Sequence, residues 1–226
     1  MKIKVIITGS TGMVGKSVLL ECLKSDHVAS VLIINRRALS IKHPKLKEII
    51  HTNLSDLNPI VEHLEGYDAC FHCMGVSVVG LNEDTYTKLT FGITKHFADV
   101  LYDLNPNMVF NYVSGTGTDS SEEGKAMWAR VKGKTENMVL SKGFKDAYAI
   151  RLGVLIPGKG IKSTTGWINF MLIIFKRIYP ILKRLKSVTT SEKLGRAMIN
   201  TLFYPQELKH LENPQLNELA ERRKDN

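Results

Sequence analysis

The sequence predicts an α/β protein with a doubly wound parallel sheet and a small, mostly helical C-terminal part. Short apolar runs alternate with segments whose apolar residues recur every three or four positions, which is the order of successive strand–helix–strand units. A glycine-rich turn joins the first apolar run to the first helical pattern. The alternation stops after Pro157-Gly158. We therefore expect a main unit over residues 1–156 and a C-terminal substrate or lid region over 157–226, both within one domain.

The elements follow from these patterns in chain order. The predicted strands are Lys4–Thr8, Ser30–Ile34, Glu48–His51, Ala69–Met74, Met108–Val113 and Ala147–Leu152. The predicted helices are Val14–Lys24, Leu57–His63, Asp84–Leu104 and Glu122–Ser141. A last helix is expected after Thr189, which can form a capping box with Glu192. The polar end, residues 205–226, is expected to be partly loose, although Leu208, Leu211 and Leu216 could dock a short extended piece.

The stretch TGSTGMVG, from Thr8 to Gly15, indicates a phosphate-binding turn. Gly9 permits a tight turn out of the strand, Gly12 lets backbone N–H groups approach a diphosphate, and Gly15 lets the helix pack closely. The positive end of that helix then faces the anion. The alternative is an incidental tight turn. The predicted cofactor contacts in this stretch are Gly9, Thr11, Gly12, Met13, Val14 and Gly15.

The residues at the end of the second strand indicate which dinucleotide, NAD or NADP, the turn would bind. The chain reads Asn35-Arg36-Arg37 there, where an acidic residue would bind both ribose hydroxyls and repel a 2′-phosphate. The guanidinium groups of Arg36 and Arg37 can instead pair with that phosphate. The sequence therefore favours NADP over NAD. The alternative interpretation is a solvated basic loop.

The motifs resemble those of the short-chain dehydrogenase/reductase superfamily over residues 1–203, in particular its extended and atypical members, the NAD(P)-dependent epimerase/dehydratase-like and NAD(P)H-binding proteins. TGSTGMVG is similar to the TGxxGxxG turn of that family. Tyr112-Val113-Ser114 resembles the segment that supplies the catalytic serine, and Arg151–Gly158 resembles the turn that meets the nicotinamide. The resemblance implies a Rossmann-type fold and a nicotinamide cofactor.

Two shorter matches extend the resemblance to other cofactor contacts. Asp56-Leu57 resembles the pair whose carboxylate and neighbouring amide contact adenine. Met74-Gly75 resembles the small-residue turn beside the cofactor ribose. Both pairs are therefore expected to bind the cofactor.

The chain departs from the family pattern at the catalytic tyrosine. The family has Tyr-x-x-x-Lys, whereas this sequence has Trp128 four residues before Lys132. In the family the phenol transfers the proton and the lysine lowers its pKa and holds the ribose. An indole N–H donates a hydrogen bond but has no accessible pKa. The resemblance thus implies that Ser114 positions the substrate oxygen, Lys132 holds the ribose and Trp128 lines the pocket.

Three other proton sources remain open. Lys132 could donate the proton while Ser114 binds the carbonyl, Tyr112 or Tyr86 could reach the site, or Ser114 and Thr116 could hold a water. The leading expectation is an oxidoreductase or epimerase-like enzyme acting on a small carbonyl or sugar-nucleotide substrate. The alternative is a catalytically inactive regulatory or scaffold protein that responds to NADP.

The composition indicates which classes of partner and which cellular compartment are expected. The formal net charge of +9 suits an anionic ligand. No zinc-finger spacing or basic helix with interleaved aromatic residues favours nucleic acid, so we expect a small-molecule substrate and no nucleic-acid partner. Three cysteines, with no apolar signal segment at the start, predict a reducing, cytoplasmic location.

Cys70 and Cys73 form a C-x-x-C motif, which also occurs in redox and metal sites. Residues three apart in an extended strand point to opposite faces, so the two thiols should diverge. We expect both to pack in the core, and we expect His72 to be a packed or edge residue. The sequence predicts no metal site.

The C-terminal region carries an apolar run, Trp167–Phe175, followed by basic residues up to position 186. A membrane span needs about 20 apolar residues, so this run is too short. Three interpretations stay open for residues 167–186: a helix over the substrate cleft, an interface in a homodimer, or a peripheral membrane contact. The basic loop Gly158–Ser163 is either an anion-binding loop or a flexible lid.

Overall fold

The computed structural model describes residues 2–158, 160–161, 182 and 185–222. The strands of its main sheet are β1 (Ile3–Thr8), β2 (Val28–Asn35), β3 (Leu46–Ile50), β4 (Ala69–His72), β5 (Val109–Val113), β6 (Asp146–Arg151) and β9 (His210–Glu212). They are all parallel and lie in the order β3-β2-β1-β4-β5-β6-β9. A second, two-stranded parallel ladder joins β7 (Val154–Ile156) to β8 (Val188–Thr190).

Helices cover both faces of the sheet. They are α1 (Met13–Lys24), α2 (Glu83–Thr87), α3 (Ile93–Leu104), α4 (Met127–Leu140), α5 (Ser191–Asn200) and α6 (Asn213–Glu221). A 3₁₀ helix spans Asn58–His63, and a π turn over Lys88–Gly92 joins α2 to α3. The doubly wound α/β architecture predicted from the sequence is confirmed.

Alternation along the strands sends apolar side chains into two separate layers. Val5 and Ile7 of β1 pack with α1, α5 and α6 on one face. Ile6 of the same strand packs with the 3₁₀ helix, α3 and α4 on the other face. Because both faces are covered, the central strands are apolar on both sides, as is typical of parallel sheets.

The helix predicted over Glu122–Ser141 begins later, at Met127. The preceding loop is organised by the Asp119 carboxylate, which accepts hydrogen bonds from the N–H groups of Ser121 and Gly124 at 3.0 and 2.7 Å. Glu122 adopts a positive φ of 65°, which a right-handed helix cannot include. Side-chain hydrogen bonds to the backbone therefore replace the first turn of the predicted helix.

The C-terminal elements also differ from expectation. The cap of α5 is Thr190, whose hydroxyl accepts a hydrogen bond from the Lys193 N–H at 3.3 Å, and not Thr189. Residues 205–226 were expected to be partly loose or to dock a short extended piece. Over its described part this end is docked, because β9 joins the main sheet beside β6 and α6 follows it. Leu211 and Leu216 are buried there, and their burial stabilises the segment.

Several sequence predictions fall outside the described residues. These include Lys159, Lys162 and Ser163 of the basic loop, and residues 167–181, 183 and 184 of the apolar and basic run. The interpretations of that run as a lid, an interface or a membrane contact therefore stay predictions. Within the described ranges, no helix is both long and apolar enough to cross a bilayer.

The C-x-x-C motif is split between the two faces of the sheet, as predicted. Cys70 packs in the layer of α3 and α4, whereas Cys73 packs against the layer of α1. His72 between them is fully buried, within 3.1 Å of Thr8 Oγ1 and 3.2 Å of Thr94 Oγ1. Burial lowers the pKa of His72 to about 3, so the imidazole is a neutral packed residue.

Gly133 sets how closely α4 approaches the loop before it. A Cβ at this position would lie 1.7 Å from the Asp119 carbonyl oxygen. We expect Gly133→Ala to lower the free energy of unfolding by at least about 3 kcal/mol, because backbone must move to admit the methyl group. Urea unfolding followed by circular dichroism measures the change. The matched control is Gly92→Ala, whose nearest neighbour would lie at 3.9 Å. Equal stability of the two variants would contradict this packing.

Candidate functional site

The glycine turn between β1 and α1 has the open backbone that a diphosphate requires. Gly9 has a φ of +69°, and a Cβ there would lie 2.7 Å from the Cys73 carbonyl oxygen. A Cβ at Gly15 would lie 2.3 Å from the Gly9 carbonyl oxygen, so Gly15 lets α1 pack directly onto the turn. Gly12 precedes the first residue of α1, and a Cβ there would meet the Gly9 carbonyl oxygen at 3.4 Å and nothing else within 4 Å. The residues present therefore fit a dinucleotide.

A cleft of about 190 Å³ opens at the carboxyl ends of β1, β2 and β4. The chain leaves β1 toward one side of the sheet and reaches β4 on the other, so the cleft lies at the topological switch point, where such folds bind ligands. The structure brings together here six of the predicted cofactor residues: Gly9, Thr11, Gly12, Arg36, Met74 and Gly75. Ile34, Asn35, Leu54 and Cys73 complete the lining.

Four more of the predicted cofactor residues adjoin residues of this cleft in the chain without lining it. Met13, Val14 and Gly15 form the first turn of α1, and Arg37 is exposed next to Arg36.

Asp56 and Leu57 are already engaged within the fold. The Asp56 carboxylate accepts a hydrogen bond from the Asn58 N–H at 3.0 Å. The Leu57 amide donates to His96 Nε2 at 3.0 Å, and the Leu57 side chain is fully buried. The Leu57 amide is therefore not free to bind adenine in this structure.

A buried ionic network lies at the carboxyl ends of β5 and β6. Ser114 follows β5, and its N–H bonds to the Ile150 carbonyl at 2.9 Å. Its hydroxyl donates to Glu136, which reaches down from α4 and is fully buried. Arg151 at the end of β6 donates to the same carboxylate through Nη2 at 2.6 Å and Nε at 3.2 Å. Glu136 thus joins β5, β6 and α4 at one point.

Lys132 and Trp128 lie on the same helix as Glu136. Burial lowers the pKa of Lys132, and the Glu136 carboxylate one turn away opposes the shift. A Cβ at Gly115 would lie 4.0 Å from Lys132 Nζ, which places the ammonium beside the residues that follow β5. The Trp128 ring lies next to Gly117, 3.5 Å from where a Cβ would stand there. The structure therefore brings together all three predicted catalytic residues: Ser114, Lys132 and Trp128.

The two tyrosines considered as replacement acids are both buried. Tyr112 and Tyr86 are 1% and 2% exposed. Desolvation raises the pKa of each phenol, which opposes proton transfer near neutral pH. Thr116 is exposed, and its hydroxyl donates to the Arg151 carbonyl at 3.3 Å. Of the open routes, the geometry favours those through Lys132 or a water at Ser114 and Thr116.

Glu136 and His210 were missed by sequence reasoning. Glu136 stands four residues after Lys132, the spacing of an exposed ion pair on a helix. A signal was present, because Ala129, Gly133 and Val139 recur at helical spacing around it and are buried. A carboxylate on that apolar face needs a buried partner. His210 has no comparable local signal; β9 brings its Nε2 within 3.3 Å of Glu136 Oε2.

Comparison with known proteins extends these findings. The chain is 26% identical to Protein FMP52, mitochondrial, from Meyerozyma guilliermondii over 155 residues. The match covers 68% of this chain and 65% of that protein, less than two thirds of its length. The name of that relative contradicts the cytoplasmic location expected from the composition. Proteins of some other compartments also lack an apolar signal segment, so its absence does not identify the cytoplasm.

Solved structures share the fold at low sequence identity. ADP-L-glycero-D-manno-heptose-6-epimerase from Helicobacter pylori superposes with a TM-score of 0.68 at 15% identity, over 96% of this chain and 80% of that one. The Bordetella bronchiseptica enzyme WbmF, in complex with NAD⁺, superposes with a TM-score of 0.65 at 13% identity, over 96% and 77%. Both support the Rossmann-type fold.

A family model assigns the chain directly. The NAD dependent epimerase/dehydratase family matches residues 5–135, which contain the glycine turn, the cleft and the part of α4 that carries Trp128 and Lys132. The resemblance to extended short-chain dehydrogenases/reductases is thereby confirmed. This chain belongs to the NAD-dependent epimerase/dehydratase family.

Proposed function

We propose that this chain is an NADP-binding oxidoreductase or epimerase-like enzyme that acts on a small carbonyl or sugar-nucleotide substrate. The observation that carries the proposal is the cluster that Ser114, directly after β5, forms with Lys132 and Glu136 of α4, beside the glycine-lined cleft. The cluster lies on the side of the fold where parallel α/β proteins bind their ligands. The sugar nucleotide acted on by the Helicobacter pylori epimerase supports this substrate class.

Each side chain has a distinct role in this proposal. A bound nicotinamide would supply or accept the hydride. The Lys132 ammonium holds the ribose and keeps positive potential at the substrate oxygen. The Ser114 hydroxyl donates its hydrogen bond to Glu136, so the Ser114 oxygen is oriented to accept a hydrogen bond from a substrate hydroxyl. Trp128 closes the pocket beside Gly117 and contributes no acid.

The preference for NADP rests on the end of β2. Arg36 lines the cleft, and within the described part of the chain neither Arg36 nor Arg37 forms an ion pair. Asn35 stands where an acidic residue would bind the ribose hydroxyls of NAD, and its side chain is turned inward and buried. An unpaired guanidinium beside a neutral amide favours a 2′-phosphate.

Calorimetric titration with NADPH and NADH tests this preference. We expect the wild type to bind NADPH more tightly than NADH. We expect Arg36→Ala to lower the affinity for NADPH by about tenfold to a hundredfold, with little change in the affinity for NADH. The reason is that a hydrogen bond to a charged group contributes about 1.5–3 kcal/mol. The matched control is Arg196→Ala, which lies outside the cleft on α5. Equal affinity of the wild type for both cofactors would refute the preference.

The second candidate is a regulatory or scaffold protein that binds NADP without turnover. Trp128 in place of the catalytic tyrosine favours this candidate, because general acid–base catalysis contributes about a hundredfold to ten-thousandfold. Absorbance of the nicotinamide with a panel of aldehydes, ketones, quinones and sugar nucleotides separates the two. Binding without turnover across the panel would favour the regulatory role.

A further inference from the structure

A chain of side-chain hydrogen bonds links the glycine turn to the loop that follows β2. The Ser10 hydroxyl donates to Asn35 Oδ1 at 2.9 Å. The Asn35 amide then donates from Nδ2 to Glu48 Oε1, also at 2.9 Å. Ser10 is fully buried, and Asn35 is 3% exposed. The links therefore lie inside the protein, where hydrogen bonds are shielded from competing water.

The same Glu48 oxygen holds the far end of that loop. The Leu39 N–H donates to Glu48 Oε1 at 2.9 Å. Residues 36–38 lie between the two anchored positions, and they are exposed. In the described part of the chain, no other side chain is hydrogen-bonded to the backbone of residues 36–39. One carboxylate oxygen on β3 thus fixes both ends of the segment that carries Arg36 and Arg37.

The position of this oxygen favours the binding of a phosphate ligand, whereas its negative charge opposes that binding. Fixing the loop holds Arg36 at the cleft, which lowers the entropy cost of binding. The negative charge of Glu48 repels a 2′-phosphate nearby. Glutamine keeps an oxygen that can accept both hydrogen bonds and removes the charge. Aspartate keeps the charge but withdraws the oxygen by one methylene group, and alanine removes both.

We propose that Glu48 is a positioning residue for cofactor selectivity, which holds the loop so that Arg36 meets the 2′-phosphate of NADP. This inference rests on the proposed function, since it explains how the preference for NADP is built. Glu48 does not line the cleft, so it acts through Asn35 and Leu39. Substitution of Glu48 should therefore weaken the binding of NADPH. It should leave the binding of NADH nearly unchanged, because NADH lacks the 2′-phosphate.

The experiment measures the affinities of NADPH and NADH for the full chain and its variants by calorimetry. We expect Glu48→Ala and Glu48→Asp to weaken NADPH about fivefold to tenfold, the effect of losing one ordered side chain, with NADH changed by less than about twofold. We expect Glu48→Gln to bind NADPH at least as tightly as the wild type. Lys47→Ala, an exposed neighbour on the same strand, is the matched control and should change neither affinity.

The outcomes separate this inference from the proposed function. If the wild type prefers NADPH and the ratio of affinities is unchanged in Glu48→Ala and Glu48→Asp, the positioning role is refuted and the preference stands. Equal losses for both cofactors would also refute it, because they indicate a general structural role. A wild type with no preference for NADPH refutes both proposals. Circular dichroism identifies folded variants, and Glu48→Asp provides the test if Glu48→Ala does not fold.

Discussion

We expect Arg151→Met to lower the free energy of unfolding by about 3–5 kcal/mol. Glu136 is fully buried, and Arg151 is the cation that bonds to its carboxylate through two nitrogen atoms. Methionine fills much of the same volume but leaves the carboxylate without the cation that is hydrogen-bonded to it in a region of low dielectric. For a chain of this size, such a loss corresponds to a thermal midpoint lower by roughly 10 °C. Differential scanning calorimetry measures it.

Two further variants show whether the cost comes from the unpaired charge. Adding Glu136→Gln to Arg151→Met should recover most of the stability, because the carboxylate that lost its bonded cation is then replaced by a neutral amide. The matched control is Lys95→Met, which breaks the exposed pair with Asp99 and should change stability by less than about 1 kcal/mol. If Arg151→Met and Lys95→Met had equal effects, the network around Glu136 would contribute no more than a surface ion pair.

The features that could be read from the sequence are those that short-range geometry determines. The turn itself requires glycine at positions 9, 12 and 15, so the spacing of Gly9, Gly12 and Gly15 was enough to predict it. The strand alternation was informative for the same reason, since both faces of the sheet are buried along a continuous segment. Local signals of this kind predicted the fold class and four residues of the cleft, Gly9, Thr11, Gly12 and Arg36. Met74 and Gly75 were implied by the family resemblance.

The features that were missed depend on contacts between distant segments. Glu136 of α4 can be buried because Ser114 and Arg151, at the ends of β5 and β6, bond to its carboxylate. Glu48 is hydrogen-bonded to Asn35, at the start of a loop that precedes it by about ten residues in the chain. The start of α4 was misplaced because Asp119 diverts the backbone before the helix. In each case a polar side chain satisfied the backbone or another charge, and hydrophobic periodicity does not identify which residue is the partner.

The substitution of Trp128 by tyrosine would restore the pattern of the family, and it is expected to have the largest effect on activity. Trp128 lies one helical turn before Lys132, so a phenol at this position would be near the ammonium that lowers its pKa. We expect Trp128→Tyr to raise the rate of hydride transfer by about a hundredfold to ten-thousandfold. Absorbance of NADPH with the carbonyl and sugar-nucleotide panel measures the rate.

Trp128→Phe separates the chemistry of the phenol from the loss of the indole. Both variants open space beside Gly117, but only tyrosine introduces a group that can transfer a proton. A gain in Trp128→Tyr alone would mean that the site retains every part of the family's machinery except its acid. Equal rates in both variants and the wild type would mean that protons reach the substrate by another route, through Lys132 or a water at Ser114. A complete lack of turnover in all three, with cofactor still bound, would favour the regulatory role, since restoring the acid would then restore nothing.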